Sequence, residues 1–164
     1  MLDAVTRVSP RSRADVSSIL MVIPKFTDTP ASPACTKQMV EDDWQEMLPS
    51  FTEGSYGKMK WDPAMVKGVE VQMGMPFSSS GGSGCNTRSF TSAVERKMRE
   101  QGINYQAYDH VEYWIDEQSG CSWGGLGQVN GPKTWERFKY CGKGKGAGIR
   151  VHELGHNFGL HVRN

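Results

Sequence analysis

The sequence has almost no net charge: 19 Lys and Arg against 18 Asp and Glu leave +1 over 164 residues. No long-range field would draw such a chain onto nucleic acid or an anionic membrane. Long apolar runs are also missing. The longest, ILMVI at 19–23, is far too short to cross a bilayer, so no membrane span is expected, and the opening Met1-Leu2-Asp3 lacks the apolar core of a secretory signal. The four cysteines, Cys35, Cys85, Cys121 and Cys141, form no C-x-x-C pair, which argues against a dithiol redox motif or a zinc knuckle. The glycine-rich stretch GKGKGAG (142–148) lacks the spacing of a phosphate-binding loop and reads as an ordinary loop. No Ser-His-Asp or Cys-His arrangement can be argued from spacing, because such groups meet in space from distant positions.

What is present suits one globular domain. A hydrophobic fraction of 37% and five Trp can support a core, while 19 Gly point to many turns. Two disulfides are the simplest reading of the cysteines, with free buried thiols as the alternative and the connectivity open among three pairings.

The hydropathy pattern predicts a mixed α/β domain, a twisted sheet carrying helices. After a polar lead-in (1–17), the run SILMVIP (18–24) suits a strand buried on both faces. From residue 33 to 48, Met39, Val40, Trp44, Met47 and Leu48 recur at helical spacing before Pro49, with an acidic cluster (Glu41, Asp42, Asp43, Glu46) expected to be solvated surface. Segments 57–61 and 67–73, separated by Asp62-Pro63, read as two strands, and SSSGGSG (78–84) as a surface loop. Phe90, Val94 and Met98 stand four apart in a second amphipathic helix over 89–102. YDHVEYWID (108–116) and, less regularly, GGLGQVNG (124–131) read as two further strands, with His110 a structural residue.

The chemistry sits on the last predicted helix, which begins near Ile149. His152-Glu153-Leu154-Gly155-His156 is an H-E-x-x-H, and on a helix residues four apart lie one turn above each other, so both imidazoles can face one zinc ion. Glu153, on the same turn, is placed to act as general base on water activated by that metal. Gly159 supplies the left-handed turn that ends such a helix.

HELGHNFGL (152–160) resembles the metzincin motif H-E-x-x-H-x-x-G-x-x-H. The upstream segments SYGKMKW (55–61), AYDHVEYWID (107–116) and CSWGGLGQVNG (121–131) resemble, in that order, those of the gametolysin family of metallopeptidases. The resemblance implies a metzincin-like catalytic domain over 18–164 with an amphipathic helix pair, a terminal active-site helix and Zn2+ as cofactor. It also implies extracellular action on protein or peptide substrates, among them matrix or cell-wall glycoproteins rich in proline or hydroxyproline. Gly125, Leu126 and Gly127 would form the sheet edge that pairs with an extended substrate backbone, although an ordinary loop fits these residues equally well. The motif places its third histidine at 162, where this chain has Val162, and His161 stands one position earlier as the alternative third ligand. The methionine turn and C-terminal subdomain of metzincins are not in the sequence. A zinc site taking a downstream glutamate is excluded because no acidic residue follows Glu153. A non-catalytic extracellular relative that binds peptide without holding zinc is the rival reading.

Overall fold

A computed structural model describes residues 16–28, 35–142 and 144–160. The expected mixed α/β architecture is present, as a five-stranded sheet in the order β2-β1-β3-β5-β4. Strands β1 (Val16–Lys25), β2 (Lys60–Gln72), β3 (His110–Ile115) and β5 (Lys133–Arg137) run parallel, and the short β4 (Gly125–Gly127) closes one edge antiparallel to β5. Parallel strands need both faces covered. Helix α2 (Thr87–Glu100) covers one face, and α1 (Lys37–Gly54) with α3 (Ala147–Asn157) covers the other.

The side-chain alternation of β1 sorts the core into these two layers. Leu20 and Val22 pack with Phe90, Val94 and Met98 of α2, whereas Ile19, Met21 and Ile23 pack with Val40, Trp44 and Met47 of α1 and Leu154 of α3. Phe90, Val94 and Met98 are wholly buried, each worth about 1.5–3 kcal/mol relative to exposure. Asn86 caps α2 by accepting from the Ser89 N–H, and Thr36 caps α1 by accepting from the Met39 N–H.

Several sequence expectations need correction. The two strands read on either side of Asp62-Pro63 are one strand, β2. Its pairing with β1 jumps from Ser17↔Trp61 to Ile19↔Val66, so residues 62–65 bulge out of the ladder. A proline is tolerated there because β2 is an edge strand and the bulge makes no demand on its missing N–H. Helix α1 continues past Pro49 to Gly54, and its last turn is anchored by Phe51, which stacks on Trp44 and packs at a tilt against Trp61, with centroids 5.4 Å from each. The predicted start of that helix at 33 lies outside the described residues. Strand β5 was not anticipated, and the 124–131 strand shrinks to Gly125–Gly127. The 78–84 segment is a loop containing two short 3-10 turns, Phe77–Ser80 and Ser83–Cys85.

The acidic cluster of α1 is not all solvated. Asp43 is buried and accepts from the Gly142 N–H at 3.0 Å, and Glu41 accepts from the Gly68 N–H at 2.8 Å. Gly68 has to be small, because a Cβ there would stand 3.0 Å from the Lys37 side chain and 3.1 Å from its carbonyl.

The cysteines pair as Cys35–Cys141 and Cys85–Cys121. The first spans a sequence separation of 106 and ties the start of α1 to the approach of α3. Closing a loop of that length is worth about 4–5 kcal/mol in the chain-entropy account.

Candidate metal and peptide-binding site

Helix α3 lies under the β4 edge of the sheet, with its buried side, including Arg150, Leu154 and Gly155, against α1 and the strands. One turn apart on its other side, the rings of His152 and His156 stand 4.9 Å apart between centroids, nearly perpendicular. The ligand atoms of His152, Glu153 and His156 all lie within 4.8 Å of one another.

The end of α3 orients one of those imidazoles. Gly159 takes the left-handed conformation expected of it, with φ 82°. The Leu160 N–H donates to the Gly155 carbonyl and the Gly159 N–H to the His156 carbonyl, which is the Schellman arrangement. The turn folds the Leu160 carbonyl back to 2.7 Å from His156 Nδ1. A carbonyl can only accept, so Nδ1 carries the hydrogen and Nε2 presents its lone pair. That nitrogen stands 4.0 Å from Glu153 Oε2. Two imidazoles, one with its tautomer set in this way, and a carboxylate are a donor set that suits a divalent metal such as zinc.

Burial pushes the Glu153 carboxyl above its ordinary range, opposed by His152, His156 and the Gly127 N–H. Gly127 itself lies hard against α3: a Cβ there would fall 2.2 Å from the Glu153 carbonyl oxygen and 3.0 Å from the His156 Cβ. Gly125 is equally confined, by the Glu153 Cγ at 2.6 Å and the Glu136 Oε2 at 2.7 Å. The strand GLG is therefore glycine at two positions because helix and strand nearly touch there. Leu126 between them is 38% exposed. Beside β4 an open cleft of about 560 Å³ is bordered by Trp123, Tyr140, Ile149, His152 and Glu153.

The structure thus brings together His152, His156, Glu153, Gly125, Leu126 and Gly127. His161, and Val162 beside it, lie outside the described residues.

The chain matches the family described as gametolysin peptidase M11 over residues 25–163. It belongs to that family. Gametolysin peptidases are metallopeptidases, so a peptide-bond hydrolase with a bound metal is the class to which the chain is assigned. No curated protein matches it. The mixed α/β fold is consistent with such a peptidase domain. The two disulfides are consistent with an extracellular protein. Among the described residues no helix is long and apolar enough to cross a membrane.

Sequence reasoning missed the residues that hold α3 from behind. Arg150, fully buried, gives Nε to Glu112 Oε2 at 3.0 Å, lies with Nη2 2.9 Å from Glu112 Oε1, and gives Nη1 to the Val40 carbonyl at 3.3 Å. Asn157 donates to the carbonyls of Gln128 and Lys133, joining the end of α3 to the strand pair β4 and β5, and bonds to His110 Nδ1 at 3.1 Å. His110 is structural, as expected. The available signal was charge inside β-prone runs: Glu112 in HVEYWI and Glu136 in KTWER alternate onto the same face as Trp114, toward the helix.

Proposed function

We propose that this gametolysin-family chain is a zinc-dependent metalloendopeptidase of metzincin type. In this reading His152 and His156 hold the metal, with His161 as third ligand, and Glu153 serves as general base and proton shuttle. The observation that carries the reading is the pairing of the H-E-x-x-H helix with a strand edge only a glycine's thickness away. Zinc, when bound, would polarise the scissile carbonyl and lower the pKa of attacking water.

The chain's own residues supply the rest. The Leu160 carbonyl keeps His156 in the tautomer that offers Nε2. Gly125, Leu126 and Gly127 form an edge strand paired on one side only, which suits an extended peptide adding itself as a further strand. Main-chain pairing of that kind favours an unfolded or extended protein segment as substrate. The cleft beside Trp123, Tyr140 and Ile149 would take a side chain next to the bond that is cut. By family resemblance, the substrates are extracellular matrix or cell-wall glycoproteins rich in proline or hydroxyproline, and the compartment is outside the cell.

Val162 at the motif's third histidine position favours a second reading, a relative that keeps the peptide-binding edge and holds zinc weakly. Zinc content, zinc affinity and peptide turnover of the full chain, beside Glu153→Gln and Val162→His, separate the two. Under the first reading the unaltered chain binds one zinc tightly, and Glu153→Gln keeps that zinc while losing about 100-fold or more in kcat. Weak zinc and no turnover, both restored by Val162→His, would establish the second.

A further inference from the structure

The main-chain hydrogen bonds of β4 decide which of its groups are left for a peptide. The Gln128 N–H donates to the Lys133 carbonyl at 3.0 Å, and the Arg137 N–H donates to the Gly124 carbonyl at 3.3 Å. Bonded and unbonded pairs alternate along an antiparallel ladder. Leu126, opposite Trp135, is therefore bonded to β5, while Gly125 and Gly127 turn their N–H and C=O groups to the free edge. A slip of one residue would reverse this and send the groups of both glycines inward.

That register is held at one end by a side chain of α3. Asn157, 9% exposed and next in sequence to His156, donates Nδ2 to the Gln128 carbonyl at 2.9 Å and to the Lys133 carbonyl at 3.0 Å. Gln128 and Lys133 are the last bonded pair before the turn that joins β4 to β5. Both amide hydrogens are used in this way, so Oδ1 faces His110 and accepts from its Nδ1 at 3.1 Å. Within the turn, the Asn130 N–H donates to the His156 carbonyl at 2.9 Å. One rung of the hairpin is thus bridged by the residue adjoining a candidate metal ligand.

We propose that Asn157 is a positioning residue for peptide binding. By bridging the Gln128–Lys133 rung it keeps the register that turns Gly125 and Gly127 outward, and so seats an added peptide at a fixed place along α3. This rests on the reading of β4 as the peptide-binding edge. Asn157 acts through the main chain of β4, not on the reacting atoms.

The test compares the full chain with Asn157→Asp, Asn157→Ala and His110→Leu. It reads kcat and KM on a quenched-fluorescent casein peptide long enough to pair with both glycines, zinc affinity by chelator competition, and Tm of the metal-free protein. Asn157→Asp keeps the size and the acceptor for His110 but gives nothing to the two carbonyls, and Asn157→Ala loses all three bonds. Both raise KM about tenfold or more, with kcat and zinc affinity within about threefold of the unaltered chain. His110→Leu leaves both carbonyl bonds in place, so it lowers Tm and keeps KM within about threefold. A merely structural Asn157 would tie KM to Tm across the three variants. An unchanged KM in an Asn157 variant that folds, a KM in His110→Leu that rises as far, or failure of both Asn157 variants to fold overturns the proposal. Where the chain does not turn over the peptide, the Kd of the metal-free chain for the same labelled peptide, by fluorescence anisotropy, takes the place of KM with the same expected shifts. No binding by the unaltered chain sinks the edge reading and this proposal with it, whereas binding that the Asn157 variants leave unchanged sinks this proposal alone.

Discussion

Arg150 and Glu112 form a doubly contacted ion pair with side-chain exposures of 0% and 1%. It pins α3 to the centre of the sheet two residues before His152. The guanidinium also stands 5.4 Å from the Trp114 ring centroid and 5.9 Å from that of Trp44, and Trp114 Nε1 donates to Glu112 at 2.7 Å. Asp43 lies 4.0 Å away on the α1 side. Three elements therefore meet on one cation directly behind the turn that carries His152 and His156.

Breaking a pair of this kind strands a buried charge. Arg150→Met is expected to cost about 3–5 kcal/mol of stability, whereas Arg150→Met with Glu112→Gln costs less, because the carboxylate left behind is neutralised. Urea unfolding of the metal-free chain and its variants measures both. A double variant less stable than Arg150→Met would show that the Glu112 charge is held by something other than Arg150.

The spacing between β4 and α3 makes a second prediction. Gly127→Ala would set a methyl 2.2 Å from the Glu153 carbonyl oxygen, a backbone atom that cannot swing aside. Strand and helix must separate, at a cost of about 1–3 kcal/mol, and peptide turnover should fall at least tenfold because edge and base lose their register. Gly148 serves as the control. It lies in the first turn of the same helix with nothing within 4 Å of an added Cβ, so Gly148→Ala should raise stability by about 0.5 kcal/mol. Equal losses in the two variants would mean that any change to this helix is harmful and that contact at Gly127 is not the cause.

Much of this site is contiguous in sequence, which is why it could be read there. His152, Glu153, His156 and Gly159 need only helical periodicity and one left-handed residue to meet, and Phe90, Val94 and Met98 declare α2 in the same local way. The features that escaped depend on distant partners. Glu112 is tolerated inside the protein only near Arg150, and Glu136 only against the bare backbone of Gly125, and nothing within their own segments says so. Lys133 and Arg137, partly exposed at its two ends, make β5 read as polar, although its middle is buried. Asp62-Pro63 looked like the end of a strand because its bulge depends on pairing with β1, and Pro49 looked like the end of a helix because the packing that carries α1 onward comes from Trp61.

His110 gives a pH dependence whose sign can be worked out. Burial against the Phe158 and Trp61 rings lowers its pKa below the ordinary 6.5, opposed by the Asn157 hydrogen bond and the charge of Asp109. The folded state therefore favours the neutral ring, and the unfolded chain takes up the proton first as pH falls. The stability associated with this residue is complete above about pH 6.5 and is lost as pH drops from there through the lower folded value. His110→Leu removes the bond to Asn157, at about 1 kcal/mol at every pH, and removes this acid limb with it. Unfolding free energies of the two metal-free proteins between pH 5 and 8, subtracted from each other so that His152, His156 and His161 cancel, should differ most near neutral pH and converge toward acid. A difference that is flat across the range, or that grows toward acid, would show that His110 is not held neutral in the fold.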